Sequence, residues 1–249
     1  MSPLPTTAPA SARQPPARAA RQAVARPDRK AAILLAAEKL FAQRGYHAVT
    51  IRQIAQEAEV PLALVAYYYG QKHELFHAIF QHWNDTIEER LVALRRIPDD
   101  PKDPRTLARI VEAFTGPVLR LRASAEGEYY ALLVARELYH ATAETDRVLR
   151  AYFDPLANAF IDALHRALPH ATRGELAWCY QFALGALLHH LSDTRVARLS
   201  RGESVPGDPV AGALLNDFIV GGISAALPTP ERTPKKQPLT IQKPKRRQA

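Results

Sequence analysis

Cysteine is almost missing from this chain: Cys179 stands alone. A single thiol excludes an intramolecular disulfide framework and suits a reducing compartment. Long apolar runs are missing as well, since none reaches the roughly 18 residues that cross a bilayer. The first residues lack the apolar stretch of a secretory signal, so the expectation is a cytoplasmic protein with no membrane partner. No G-x-x-x-x-G-K, G-x-S-x-G or G-x-G-x-x-G segment occurs, and no catalytic constellation is visible. The expectations are no enzyme activity, no cofactor and no metal. Alternating strand patterns and solenoid-length repeats are also lacking.

What remains is ordinary globular material. The 249 residues are 47% hydrophobic and 23% charged, close to the averages of soluble domains. That length suits one or two domains. The net charge is +8, but it is unevenly placed: residues 1–30 carry +5 and residues 231–249 carry +6. The body between them is therefore mildly acidic, and the high isoelectric point says little about a basic binding face. Residues 1–28 hold six prolines among Ala, Ser, Thr and Arg, and residues 228–249 hold five prolines and seven basic residues. Neither stretch has apolar periodicity, so both read as disordered basic tails.

Between the tails the apolar spacing is helical, which predicts an all-α fold. Ile33, Ala36, Ala37, Leu40 and Phe41 mark a helix over 29–44, stopped by Gly45. Thr50 and Gln53 have the spacing of a capping box and open a short helix at 51–58. Glu59-Val60-Pro61 is the next break, and a second short helix runs over 61–69 to Gly70. A longer helix is predicted from Lys72 to about Ile97. Further helices are predicted at 104–123, bent near Pro117, and at 126–142, 144–168, 172–200 and 209–226. Pro155 should break or kink the helix at 144–168.

Short helices joined by tight turns at 29–69 have the geometry of a helix-turn-helix. The helix at 61–69 is about two turns long and must be held by packing, for which Leu64, Val65 and Tyr69 are placed. The ordered pieces Ala37-x-x-Leu40-Phe41-x-x-x-Gly45-Tyr46, Thr50-Ile51-Arg52-Gln53-Ile54-Ala55, Val60, Tyr67-x-Tyr69-Gly70 and Lys72-x-Glu74-Leu75 resemble the DNA-binding domain of TetR-family transcriptional regulators. Glu59 stands where that family usually carries glycine at a left-handed turn, Tyr68 where histidine is common, and Pro61 and Leu62 where more polar residues sit. The resemblance implies a helix-turn-helix DNA-binding domain over 29–72. A helical bundle for effector binding and dimerisation would follow over 73–227. The partners implied are operator DNA, a small effector and a second copy of the chain.

Roles follow from chemistry. Thr50 and its neighbouring amides open a helix, which suits a phosphate. Arg52 in the first turn can reach a base edge, with guanine its favoured partner. Lys72 begins the next helix and is placed for a backbone phosphate. Tyr67 and Tyr68 offer hydroxyls to phosphates and rings to sugars or thymine methyls. Pro61, Leu62, Ala63 and Ala66 form an apolar edge that reads thymine methyls. A competing signal is His73-Glu74-Leu75-Phe76-His77, an H-E-x-x-H helix segment that would make the chain a zinc metallohydrolase with Glu74 as general base. The same residues fall where the TetR pattern itself places Glu74 and Leu75.

In the C-terminal region, 172–191 is apolar on much of its surface, with small Ala183, Gly185 and Ala186. The segment 209–226 supplies Leu214, Leu215, Phe218, Ile219 and Ile223. The resemblance implies a four-helix homodimer interface from these two segments. An apolar effector cavity is expected among Phe114, Tyr129, Tyr130, Leu133, Tyr139, Phe153, Phe160 and Trp178, with Arg136 or His140 as polar handles. The 129–139 and 184–187 stretches look similar to a subgroup sensing fatty-acyl compounds. The function implied is a ligand-responsive repressor, released from a palindromic operator by a small apolar effector.

Overall fold

The computed structural model describes residues 28–124, 127–139, 142–208 and 210–228. The disordered character expected of the tails therefore concerns residues outside those described. Among the described residues every regular element is helical. The helices in chain order are α1 (Arg29–Arg44), α2 (Ile51–Glu57), α3 (Leu62–Tyr69), α4 (Lys72–His82), α5 (Asn84–Arg95) and α6 (Thr106–Ala123). They continue as α7 (Glu128–Tyr139), α8 (Ala143–Val148), a π-helical turn at Leu149–Phe153, α9 (Asp154–Ala167), α10 (Arg173–Ser192), α11 (Val196–Leu199) and α12 (Val210–Ala226).

Local chemistry accounts for most of the boundaries. Asp28 caps α1, its carboxylate accepting from the amides of Lys30 and Ala31 at 3.0 and 3.2 Å. Gly45 ends α1 at φ 82°. A side chain there would also come within 3 Å of the Arg136 guanidinium, which would have to shift, but the positive φ is what calls for glycine. Thr172 and Glu175 form a reciprocated capping box at the start of α10. Pro155 sits in the first turn of α9, and the chain before it is drawn into the π turn. The expected break at Pro155 is thus present. Pro117 lies inside α6, which runs on past it.

Two boundaries differ from the sequence expectation. The helix expected over 72–97 divides at Trp83, whose backbone stands at φ −94° and ψ 12°. Neither proline nor glycine marks the spot. The break is tertiary, with the Trp83 indole donating to Glu38 of α1 at 2.7 Å and Thr86 donating to the Trp83 carbonyl at 2.7 Å. The helix expected over 172–200 stops at Ser192, because Asp193 turns its carboxylate onto the Arg195 amide at 2.7 Å and starts a separate turn.

Two apolar cores result. The first unites Ile33, Phe41, Ile54, Val65, Leu75 and Phe76 with Tyr130 and Leu133 of α7. The second gathers α5, α6, α9, α10 and α12 around Phe114, Phe160, Leu176 and Leu187. Helix α7 packs on α1 on one side and on α6 and α10 on the other, and its large buried apolar residues belong to the first core.

Candidate nucleic-acid interface and ligand cavity

The capping box of α2 forms as its spacing predicts. The Thr50 hydroxyl accepts from the Gln53 amide at 3.3 Å, and the Gln53 side chain accepts from the Thr50 amide at 2.8 Å. The hydroxyl also donates to Gln53 Oε1 at 3.0 Å, so Thr50 acts by fixing the end of α2. Arg52, in the first turn, is exposed. Lys39 of α1 holds the far end of α2 through Glu57 at 2.5 Å.

The turn into α3 is closed by the Val60 amide donating to the Ala55 carbonyl at 3.0 Å. Glu59 adopts φ 53° there, the left-handed conformation that favours glycine. In α3 only Val65 is fully buried, with Leu64 and Tyr69 half-buried. The Tyr69 hydroxyl donates to the Lys30 carbonyl at 2.9 Å and pins α3 to the start of α1. Burial pushes the Tyr69 phenol up to about 12, so it remains a donor. Pro61, Leu62, Ala63, Ala66, Tyr67 and Tyr68 are all exposed, Tyr67 by 79%. The two outward tyrosine rings meet edge to face at 5.1 Å. Lys72 is half-buried, with its ammonium 4.3 Å from the centre of the Tyr46 ring.

The His73–His77 segment is otherwise engaged. The Glu74 carboxylate turns back to accept from the Gln71 amide at 2.6 Å, completing a cap on α4. Leu75 and Phe76 are fully buried. Among the described residues no cluster of three or more His, Cys, Asp or Glu side chains is arranged to hold a metal ion. The arrangement does not support the metallohydrolase reading.

A narrow cavity of about 60 Å³ lies between α5, α6, α7 and α10, lined by Arg90, Pro117, Tyr130, Val134, Phe153 and Leu187 among others. Of the expected effector residues, Tyr130 and Phe153 reach it. Phe114 lies instead in the second core, its ring 5.3 Å from Phe160. Leu133 faces the first core, and Arg136 lies against Gly45 at the end of α1. Tyr139 is exposed, and Tyr129 is half-buried beside the first core. Trp178 is 65% exposed and stacks on Phe182 at 5.9 Å, on the outer face of α10 rather than at the cavity. His140 lies outside the described residues. Helical spacing defined which positions are apolar but not which of two cores each one faces.

Arg90 was not among the expected site residues. It occupies the apolar face of α5 with Ile87 and Leu94, at i, i+3 and i+7. A charge on such a stripe is the signal that was available in the sequence. Burial draws its pKa down to about 10. Trp178 and Phe182 on α10, with Leu214 and the 70% exposed Phe218 on α12, form exposed apolar pairs at i, i+4. Ile219 and Ile223 of α12 are buried in the second core. Cys179 is buried, and burial pushes its thiol up.

A capped short helix, a tight left-handed turn and a second short helix with its outer side bare define a helix-turn-helix protein carrying a helical bundle. The profile described as "Bacterial regulatory proteins, tetR family" matches residues 33–79. That described as "Tetracyclin repressor-like, C-terminal domain" matches residues 112–222. The chain belongs to the TetR family of transcriptional regulators. It is 33% identical over 94 residues to the HTH-type transcriptional regulator HbdR of Aromatoleum sp. (strain CIB), covering 38% of this chain and 34% of that protein. It is 33% identical over 90 residues to the HTH-type transcriptional activator FasR of Mycolicibacterium smegmatis, covering 36% and 40%. The alignments thus span little more than a third of these curated relatives. A TetR-like transcriptional regulator from Rhodococcus sp. RHA1 has a solved structure similar over 80% of this chain and 97% of that one, with 26% identity and a TM-score of 0.53. Regulators of this family bind operator DNA, act as dimers and respond to small molecules. No described helix is long and apolar enough to cross a membrane.

Proposed function

We propose that this protein is a cytoplasmic homodimeric repressor, without enzymatic activity, released from a palindromic operator by a small, largely apolar, acyl-type effector. The observation that carries the reading is the bare outer side of α3, where Leu62, Ala63, Ala66, Tyr67 and Tyr68 are exposed although most are apolar or aromatic. Exposed apolar groups beside an exposed Arg52 suit a major groove, with Arg52 on a guanine edge and the apolar edge on thymine methyls. Lys72 and the amides at the start of α2 meet the phosphates. The exposed pairs on α10 and α12 are apolar surface that a second copy would cover. Dimerisation sets two recognition helices about one turn of DNA apart, roughly 34–36 Å.

Footprinting and gel shifts on DNA flanking the protein's own gene test the reading. A protected two-fold symmetric site, with affinity falling steeply with salt, is expected. Absence of any sequence-selective protection would reject it. Run-off transcription from the occupied site decides the sign, since one curated relative is named as an activator.

A further inference from the structure

Among the described residues two buried side-chain polar atoms have no hydrogen-bond partner: Arg90 Nε and the Tyr130 hydroxyl. Both residues line the same cavity between α5, α6, α7 and α10. Arg90 is 7% exposed and Tyr130 is 3% exposed. An isolated buried charge costs several kcal/mol, and native proteins pair it or surround it with dipoles. Arg90 has neither. Among the described residues it forms no ion pair with a carboxylate, and its company is aromatic, with the Phe114 ring centre at 5.0 Å and that of Phe160 at 5.6 Å. Those rings soften the cost through their electron-rich faces but offer the guanidinium no acceptor. Burial also keeps the Tyr130 phenol well above its ordinary range, so the hydroxyl stays protonated and available as a donor. The rest of the lining is mainly aliphatic: Ile87, Val118, Leu121, Val134, Leu184 and Leu187.

We infer that Arg90 and Tyr130 form a buried carboxylate-binding site, and that the effector is a compact apolar carboxylic acid bound as its anion. The inference deepens the proposed function by naming the chemical class that fills its cavity, and it rests on that reading only for the word effector. A carboxylate supplies what the site lacks, a negative charge with two acceptor oxygens. A guanidinium matches it with charge-assisted hydrogen bonds, and the phenol adds a further donor. A neutral ester or amide of the same shape brings an acceptor but leaves Arg90 uncompensated. Size limits the class as well. A water needs roughly 10–15 Å³ of such volume, so about 60 Å³ takes only a short-chain or compact ring acid without expansion of the bundle.

The test is calorimetric titration of the full-length protein with butanoate, hexanoate and benzoate, each beside its methyl ester and primary amide. At least one acid is expected to bind, with its ester and amide weaker by about 10- to 100-fold, the worth of a hydrogen-bonded charge. Arg90→Met should lower acid affinity by a similar factor while leaving the ester unaffected, and Arg90→Lys should retain part of it. Tyr130→Phe should cost about tenfold or less. Folding of the variants is followed by thermal melting. Arg90→Met should melt no lower than the parent, because it removes an uncompensated buried charge. Esters that bind as tightly as acids, acids that bind Arg90→Met unchanged, or no binding by any of the acids would each overturn the inference. Operator footprinting in the absence of acid separates the two claims. A footprint with no acid binding leaves the regulator standing and removes the carboxylate site. Arg90-dependent acid binding without any footprint does the reverse.

Discussion

Replacing Glu38 by Gln should remove a distinct pH dependence from the stability of this protein. Glu38 lies on α1 and is buried, accepting from the Trp83 indole at 2.7 Å. Desolvation, only partly offset by hydrogen bonds from Trp83 and the Tyr130 backbone, raises its pKa from the ordinary 4.5 to about 7. Between those values the folded chain holds a proton that the unfolded chain has lost. Stability contributed by this group is therefore complete below about pH 4.5 and is lost as the pH rises through about 7. The difference in pKa is worth about 3 kcal/mol, a large share of the roughly 5–15 kcal/mol of a typical domain. Glutamine keeps the acceptor for Trp83 and has no proton to lose. Urea unfolding of parent and Glu38→Gln at intervals from pH 4.5 to 8, followed by tryptophan emission, gives the comparison. The parent should lose up to about 3 kcal/mol relative to the variant across this range, whatever the histidines contribute to both. A parent-minus-variant difference that stays flat with pH would refute the reasoning, since burial would then not be holding the proton on Glu38.

Three further outcomes follow from the same structure. Arg52→Ala should weaken specific operator binding by about 1–3 kcal/mol and relax preference at one base pair per half-site. Equal losses on operator and random DNA would show that Arg52 only meets phosphate. Phe218→Asp, on the exposed face of α12, should shift the protein from dimer to monomer in sedimentation equilibrium at micromolar concentration. An unchanged dimer would place the interface elsewhere. Glu59→Gly should raise thermal stability by up to about 1 kcal/mol by relieving φ 53°, and a lower melting temperature would mean that the Glu59 side chain contributes more than its backbone costs.

The DNA-binding half was legible because its instructions are local. Thr50 and Gln53 three residues apart in a capping box, Gly45 and Gly70 at positive φ, and Pro61 at a helix start each act within one or two turns. The effector half was less legible because its helices are apolar on more than one side. Leu133 and Val134 are neighbours in sequence, yet Leu133 faces only the first core while Val134 also reaches the cavity. Periodicity marks both as apolar and cannot assign the partner. Trp178 illustrates the opposite error, an aromatic residue on an apolar helix that turns outward and stacks on Phe182. The break at Trp83 depends on a hydrogen bond to a residue 45 positions earlier, which no local pattern encodes. Arg90 stood on an apolar stripe in plain view, and only the geometry of α6, α7 and α10 shows that no described carboxylate pairs with it.

The position of α7 gives the cavity a mechanical route to the DNA-binding helices. Leu133 is buried in the core built on α1, and Tyr130 belongs both to that core and to the cavity wall. Ala131, Val134 and Leu138 also line the cavity. Arg136 lies against Gly45, where α1 ends and the chain turns toward α2. Close-packed cores have little slack, so displacement of α7 by a ligand is passed to α1 and cannot be absorbed between them. A ligand shifts such an equilibrium only by the difference in its affinity for the two arrangements. Typical allosteric couplings of about 1–3 kcal/mol correspond to roughly 5- to 150-fold changes in affinity. One hydrogen-bonded charge contributes about 1.5–3 kcal/mol. On the proposed reading, a carboxylate that reaches both Arg90 and Tyr130 in only one arrangement of α7 therefore supplies enough differential binding for release. An apolar molecule that merely fills the cavity gains nearly as much in either arrangement and shifts little. The acid and its ester should then differ in their power to release operator DNA at equal occupancy, and not only in affinity.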